Sequence, residues 1–274
     1  MMSSLDDPAF LSLTRMISER AGVSLDVYKD KCLRRRIAVR MRACGVHTYH
    51  DYRRVLETTP AEYQLLADAL TINVTRFYRN PETWDRLRSD VIPSLLREYS
   101  GQVACWSAGC ASGEEPYTLA MLCLDALSEQ GRSSWSDRVT IDATDIDRRS
   151  LERLAAGRYR ADALVDLPPA LKERYLRQLD DVYEVSSAVR RMVRAGRLDL
   201  GAGAPLRPAY HLIICRNVVI YFDRPTQERL FSSFADHLVA GGYLVLGKVE
   251  TLVGPARDQL NLVDARERIY RRPA

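Results

Sequence analysis

Nothing in these 274 residues runs apolar for about 18 positions, the length a helix needs to cross the hydrocarbon core of a bilayer. The N-terminus, Met1 to Asp7, lacks the basic stretch followed by an apolar one that marks a secretory signal. The chain is therefore expected in the cytoplasm, with no membrane insertion. Histidine is scarce, at four residues, and the six cysteines (Cys32, Cys44, Cys105, Cys110, Cys123 and Cys215) include no CxxC pair. No cysteine and histidine stand at metal-ligand spacing, so no metal is expected and the thiols are read as buried and reduced. Internal repeats and low-complexity segments are absent too, which excludes a repeat architecture.

What is present is 46% hydrophobic residues, enough to bury the core of one large domain or two modest ones. The net charge of +4 is unevenly placed. Residues 1–80 hold 13 Lys/Arg against 9 Asp/Glu, whereas the remainder balances 27 against 27. The surplus concentrates between Lys29 and Arg42, where seven cations face only Asp30, a composition suited to an acidic partner surface.

From Pro8 to about Leu70 the apolar residues recur at helical spacing: Leu11, Met16 and Ile17, then Leu33, Ile37 and Met41, then Tyr63, Leu66, Ala67 and Leu70. Gly22, Gly45 and Pro60 fall between them, so an all-helical region of three to five short helices is expected. On the helix around residues 33–44 the apolar face leaves Arg35, Arg36, Arg40 and Arg42 outside it, and these are expected to face solvent. After Arg79 strand-like and helical runs alternate, as a parallel α/β sheet requires. Strands are expected at Val103–Ser107, Val139–Thr144, His211–Cys215 and Tyr243–Leu246, with helices at Glu114–Leu127, Arg149–Ala156 and Arg224–Leu238. Leu260–Asp264 and Arg268–Tyr270 read as a closing antiparallel hairpin, which favours the methyltransferase variant of the doubly wound sheet. The charged stretch 175–193 fits neither pattern and is read as a small inserted subdomain with at least one β-hairpin.

The strongest local signal is Val103 to Tyr117, a strand that enters a Gly109-x-x-x-Gly113 turn and then a helix. In open α/β sheets ligands sit at such strand ends, where glycines permit close approach to the backbone. Glu114 and Glu115 in the first helical turn would repel a pyrophosphate but suit a cationic amino or sulfonium group; the alternative is that they complement the helix dipole. Asp145, at the end of the second strand, stands where ribose hydroxyls need an acceptor, although an acid there, like Asp147 beside it, also serves as a helix cap. Arg216 and Asn217 emerge among apolar residues at another strand end, where packing alone would not select them. Tyr221 follows, either near a cofactor's reactive end or in the core. Asn73, Thr75 and Arg79 lie in a segment read as an extended strip joining two domains, either lining a cleft or serving as linker residues.

Taken together, LTINVTRFYR, WSAGCASGEEPYTLAM, ATDIDRRSLERLAAGRY, CRNVVIYFDRPTQERLF and GGYLVLG resemble the CheR family of chemotaxis receptor (protein-glutamate) O-methyltransferases, in that family's order and over about residues 10–270. The resemblance implies an N-terminal all-helical receptor-docking domain (residues 1–80). A Rossmann-like class I methyltransferase domain (81–274) would follow, carrying the inserted β-subdomain. It implies S-adenosylmethionine as cofactor and S-adenosylhomocysteine as product, with contacts from Asn73, Thr75, Arg79, Glu115, Asp145, Asp199, Leu200, Arg216 and Asn217. Arg79 and Tyr221 would lie nearest the transferred methyl. Asp199 stands where the family often has Asn, and Gly247-Lys-Val-Glu250 where it usually has Gly-His-Ser-Glu. The implied substrates are glutamates on the cytoplasmic helical region of chemoreceptors, met by the arginines of the basic helix.

Some family members also grip a receptor C-terminal pentapeptide through a glycine-containing loop of the β-subdomain. The corresponding stretch here, Arg177 to Val182, is short and lacks glycine, so independence of that peptide is expected, as is a monomer. Two other readings stay open. A nucleic-acid methyltransferase would use the basic helix against phosphates, but no Asn/Asp-Pro-Pro-Tyr motif occurs and no nucleic acid is expected. A non-catalytic cofactor-binding signalling module is opposed by the presence of Arg79 and Tyr221.

Overall fold

The computed structural model describes residues 7–22, 24–70, 74–202 and 205–274; Asn73 lies outside them. The chain divides into two compact units, one of Met1–Ile72 with Tyr221–Thr226, the other of Asn73–Ile220 with Gln227–Ala274.

The first unit is helical: α1 (Pro8–Ala21), α2 (Asp30–Ala43), α3 (Tyr49–Thr58) and α4 (Pro60–Leu70). Local signals set the ends. Asp7 caps α1 by accepting from Ala9 N at 3.0 Å, Pro8 occupies the first turn, and Gly22 closes it in the left-handed region. The buried face of α1 is Phe10, Leu13 and Ile17; Ile17 is buried as expected, whereas Leu11 is 51% exposed and Met16 half-buried. Leu33, Ile37 and Met41 of α2 are buried as their spacing requires, each contributing roughly 1.5–3 kcal/mol.

The expected solvent-facing arginines divide into two pairs. Arg35 and Arg42 are exposed. Arg36 is buried, with its guanidinium 4.4 Å from the centre of the Tyr221 ring and Nη1 donating to the Leu70 carbonyl. Arg40 reaches Glu62 of α4 through Nη2 to Oε2 at 2.6 Å and Nε to Oε1 at 3.0 Å. The helical pattern separated the apolar stripe from the rest but did not show that a second helix covers the flank of that stripe. Tyr221 belongs to this unit: Lys29 N donates to its carbonyl at 2.8 Å, and Tyr28 meets Phe222 edge-on at 5.1 Å.

The second unit opens with α5 (Pro81–Arg86) and α6 (Ile92–Glu98), then alternates strands and helices: β1 (Val103–Ala108), α7 (Glu114–Glu129), β2 (Val139–Asp145), α8 (Arg148–Ala156) and β3 (Arg158–Arg160). There follow α9 (Pro169–Tyr175), β4 (Leu176–Leu179), β5 (Val182–Val185), α10 (Ser187–Met192), β6 (Val193–Arg197) and β7 (Tyr210–Cys215). The chain closes with α11 (Arg224–His237), β8 (Leu238–Leu246), α12 (Ala256–Gln259), β9 (Asn261–Asp264) and β10 (Ile269–Arg271). The main sheet runs β6-β2-β1-β7-β8-β10-β9, with β10 antiparallel to both neighbours and the five strands from β6 to β8 parallel. This is the class I methyltransferase arrangement, and its reversed final strand is the closing pair legible in the sequence.

β1 is buried along its whole length, as a central parallel strand must be. Successive side chains leave its opposite faces: Cys105 joins the cluster that holds the α7 residues, while Trp106 packs on Tyr210 at 5.3 Å and on Phe234 of α11 at 5.4 Å. A second sheet, β3-β5-β4, is antiparallel, and β4 and β5 join through the two-residue turn Asp180–Asp181. Its third strand comes from outside 175–193, while Val193 onward leaves for the main sheet. Neither Arg-Tyr-Arg nor Val-Arg-Ala-Gly-Arg carries an apolar alternation that would announce a strand. All six cysteines are free, and burial pushes the thiols of Cys105, Cys110, Cys123 and Cys215 up. Among the described residues no helix is long and apolar enough to cross a membrane, and no group of side chains could hold a metal ion.

Candidate functional site

The parallel strands deliver Ala108, Asp145, Arg197 and Cys215 to one edge of the sheet, and the loops that leave them form the site. Gly109 and Gly113 hold φ of +81° and +101°, which only glycine adopts readily. Their missing side chains make room for protein rather than ligand. A Cβ at Gly113 would lie 2.7 Å from Leu154 Cγ and 2.9 Å from Tyr159 Oη, and one at Gly109 would strike Val218. The loop is pinned by Gly109 N and Cys110 N donating to Thr144 O at 2.8 and 2.9 Å.

Asp145 completes that pinning. Its Oδ2 accepts from Ala111 N at 2.8 Å and its Oδ1 from Asp147 N at 2.9 Å, and burial pushes its carboxyl up. Asp147 caps α8, accepting from Arg149 N and Ser150 N. The two acids that open α7 part company. Glu114, 5% exposed, accepts from the Ser112 hydroxyl at 2.9 Å and serves the loop. Glu115 accepts from Ser107 Oγ at 2.8 Å and lies with Oε2 3.6 Å from Arg216 Nη1. Burial pushes the Glu115 carboxyl above the usual range, and Arg216 opposes the shift.

Arg216 has only 3% of its side chain exposed. Its Nη2 donates to Arg79 O at 2.8 Å and to Asn80 Oδ1 at 2.9 Å, the guanidinium sits 5.5 Å from the Trp84 ring centre, and its Nε has no partner among the described residues. The segment from Val74 to Asn80 is therefore built into the site, turning at Phe77–Asn80; the extended strip was expected from residues 70–73, of which 71–73 lie outside the described residues. Tyr78 and Asn80 take φ of +58° and +61°, and Arg79 Nη1 returns to Val74 O at 2.7 Å. Thr75 contributes a side-chain hydrogen bond to Glu114. Beyond β6, Leu198 N donates to Asp145 O at 3.0 Å, which carries Asp199 and Leu200 to the same edge; Asp199 Oδ1 accepts from Gly201 N at 2.9 Å.

One site residue escaped the sequence reading. Glu250 is 3% exposed, and its carboxylate accepts from five backbone N–H groups: Val218, Val219 and Ile220 on Oε1, Asn217 and Gly247 on Oε2. Burial pushes its carboxyl up, and those donors oppose the shift. The available signal was an acid three residues after a strand-ending glycine, singled out only because Lys248 and Val249 between them depart from the family's usual run. Those two stay out of the cage: Lys248 Nζ pairs with Glu82 at 3.0 Å and Glu267 at 3.4 Å, and Val249 is 73% exposed. Tyr221 lies in the helical unit.

A buried guanidinium with an unused N–H beside a carboxylate with spare acceptor capacity suits an amino-acid-like group, anion to Arg216 and cation to Glu115. Residues 8–71 match the family described as CheR methyltransferase, all-alpha domain, and residues 73–269 match CheR methyltransferase, SAM binding domain. The chain is similar to the chemotaxis protein methyltransferase of Borreliella burgdorferi, 34% identical over 250 residues that cover 88% of this chain and 87% of that one. It is also similar to that of Klebsiella aerogenes, 34% identical over 262 residues covering 93% and 87%. A third, from Listeria monocytogenes, is 31% identical over 247 residues covering 90% and 91%.

Proposed function

Because the chain belongs to the CheR methyltransferase family and carries its S-adenosylmethionine-binding domain, we propose that it methylates glutamate side-chain carboxylates on the cytoplasmic helical region of chemoreceptors. The observation that carries this reading is the buried Arg216–Glu115 pair with the unpartnered Arg216 Nε. It matches the carboxylate and ammonium of the cofactor's methionyl end, and Asp145, Thr75 and the loop around Asp199 and Leu200 lie at the edge where its nucleoside would rest. S-adenosylmethionine supplies an electrophilic sulfonium methyl.

The chain's own task is alignment, because a glutamate carboxylate is already ionised near neutral pH and needs no base. Arg79 uses one N–H on Val74 O and keeps others for the acceptor carboxylate. Tyr221 is assigned to fix the line of attack. Holding two reactants in an oriented pair lowers a barrier by roughly 7–11 kcal/mol, which is the contribution assigned to these residues. The helical unit is assigned to receptor docking through the exposed Arg35 and Arg42, with the protein acting as a cytoplasmic monomer. The two-residue turn Asp180–Asp181 supports independence of a receptor C-terminal pentapeptide, since it offers no extended loop to close over one. The test is incubation with tritiated S-adenosylmethionine and receptor cytoplasmic fragments. Base-labile methyl ester on the fragments is expected, and its absence from an enzyme that binds the cofactor would overturn the substrate assignment.

A further inference from the structure

The Arg216–Ile220 turn carries two of the residues assigned to the cofactor, yet its backbone is unfavourable by itself. Asn217 sits at φ +62°, in the left-handed region that non-glycine residues enter at a cost. Four successive N–H groups, from Asn217 to Ile220, point to one side of the turn. All four converge on the Glu250 carboxylate, at 2.9, 2.9, 2.9 and 3.3 Å, and Gly247 N adds a fifth bond at 2.6 Å. Gly247 is needed for space: a Cβ there would lie 2.7 Å from Glu250 Oε2 and 2.9 Å from Asn217 N.

We propose that Glu250 is a positioning residue for cofactor binding, its caged carboxylate holding the Asn217–Ile220 turn so that Arg216 and Asn217 present their side chains to the methyl donor. The inference rests on the methyl-donor reading above. An acid is required because all five partners are donors, and only a carboxylate is acceptor at both ends. Glutamine keeps the shape but turns an NH2 toward either the Asn217 and Gly247 pair or the Val218–Ile220 trio, leaving at least two buried N–H groups unmet. Lys248 and Val249 can vary without touching the cage, because they point elsewhere.

The experiment compares the wild-type chain with E250Q and G247A, using calorimetry with S-adenosylhomocysteine and steady-state methylation. Both variants are expected to raise the dissociation constant and the KM for S-adenosylmethionine by about tenfold or more, because loss of these bonds disturbs a ground-state contact. A fall in kcat beyond about threefold would come through Tyr221, which directly follows the clamped turn, and leaves the dissociation constant to decide the inference. G247A keeps the charge and crowds the cage, so it decides the matter if E250Q does not fold. Leu127→Ala, in the core at the far end of α7, should lower the melting temperature without moving the dissociation constant, which separates positioning from general destabilisation. Variants that melt lower but bind within about twofold of a binding wild type would make Glu250 a structural clamp only and overturn the inference. A wild type that binds no S-adenosylhomocysteine would overturn the methyl-donor reading beneath it.

Discussion

At the scale of single residues, the polar groups proposed to meet the cofactor also hold the scaffold together. Asp145 is the example: its two oxygens accept from Ala111 N and Asp147 N of the loop backbone, and under the proposed function the same carboxylate would also meet a ribose hydroxyl. D145A should therefore weaken S-adenosylmethionine and S-adenosylhomocysteine alike, by about 1.5–3 kcal/mol or roughly ten- to hundredfold. Calorimetry with both compounds checks this, and unchanged affinity would remove Asp145 from the site. Tyr221 calls for a different signature. Y221F keeps the ring that Arg36 covers and loses only the hydroxyl, so it should bind the cofactor normally and lower kcat by about tenfold or more. Equal loss of binding and turnover would make Tyr221 a packing residue.

At the scale of elements, α2 illustrates what a charge run becomes once neighbours are present. Of its arginines, Arg35 and Arg42 are exposed, Arg36 is buried against Tyr221, and Arg40 is half-buried on Glu62. Charge reversal confined to R35E and R42E should raise KM for receptor fragments several-fold, about 0.2–1 kcal/mol per lost exposed pair, and leave affinity for S-adenosylhomocysteine unchanged. Added salt should weaken the wild type in the same direction. An unchanged KM in the double variant, measured over a range of ionic strength, would move docking to another surface. Reversal at Arg36 or Arg40 would not test docking, because it buries an acid against a carbonyl or against Glu62.

At the scale of the whole molecule, the buried carboxyls of the two units are shifted in opposite directions. Burial raises the Glu62 carboxyl, but the bonds from Arg40 and Tyr52 outweigh it and leave the pKa lowered. Its contribution is present above the unfolded-state value and is lost as pH falls through the depressed native one. In the second unit burial raises Glu114, Glu115, Asp145 and Glu250. Raised carboxyls bind protons more readily in the native state, so their contribution is present below the unfolded-state value and is lost as pH rises through the native one. Hydrogen exchange measured down an acid series should show the helical unit losing protection first. R40A, which leaves Glu62 buried without its cation, should remove about 3 kcal/mol from that unit at neutral pH and flatten its acid dependence. A helical unit that outlasts the sheet in acid would contradict the assignment.

The sequence by itself determined the division into helical and α/β parts, the positions of four of the five parallel strands and the stretches at their ends. These follow from local periodicity: a 3.6-residue apolar repeat up to Leu70, apolar strand runs after Arg79, and glycines that only a turn can use. The closing hairpin and the acid at the end of β2 were legible for the same reason. Tertiary structure alone decided which polar groups partner each other, because a hydrogen bond between Glu250 and Asn217 joins residues 33 positions apart and leaves no periodic trace. It also decided that Arg36 and Arg40 are not surface charges, since only the packing of α4 supplies Glu62 and the Leu70 carbonyl. The glycines of the loop are required by Leu154, Tyr159 and Val218, side chains brought there by other elements of the fold. A charge or a glycine in sequence states what a position tolerates; the neighbours that make it necessary arrive only when the chain has folded.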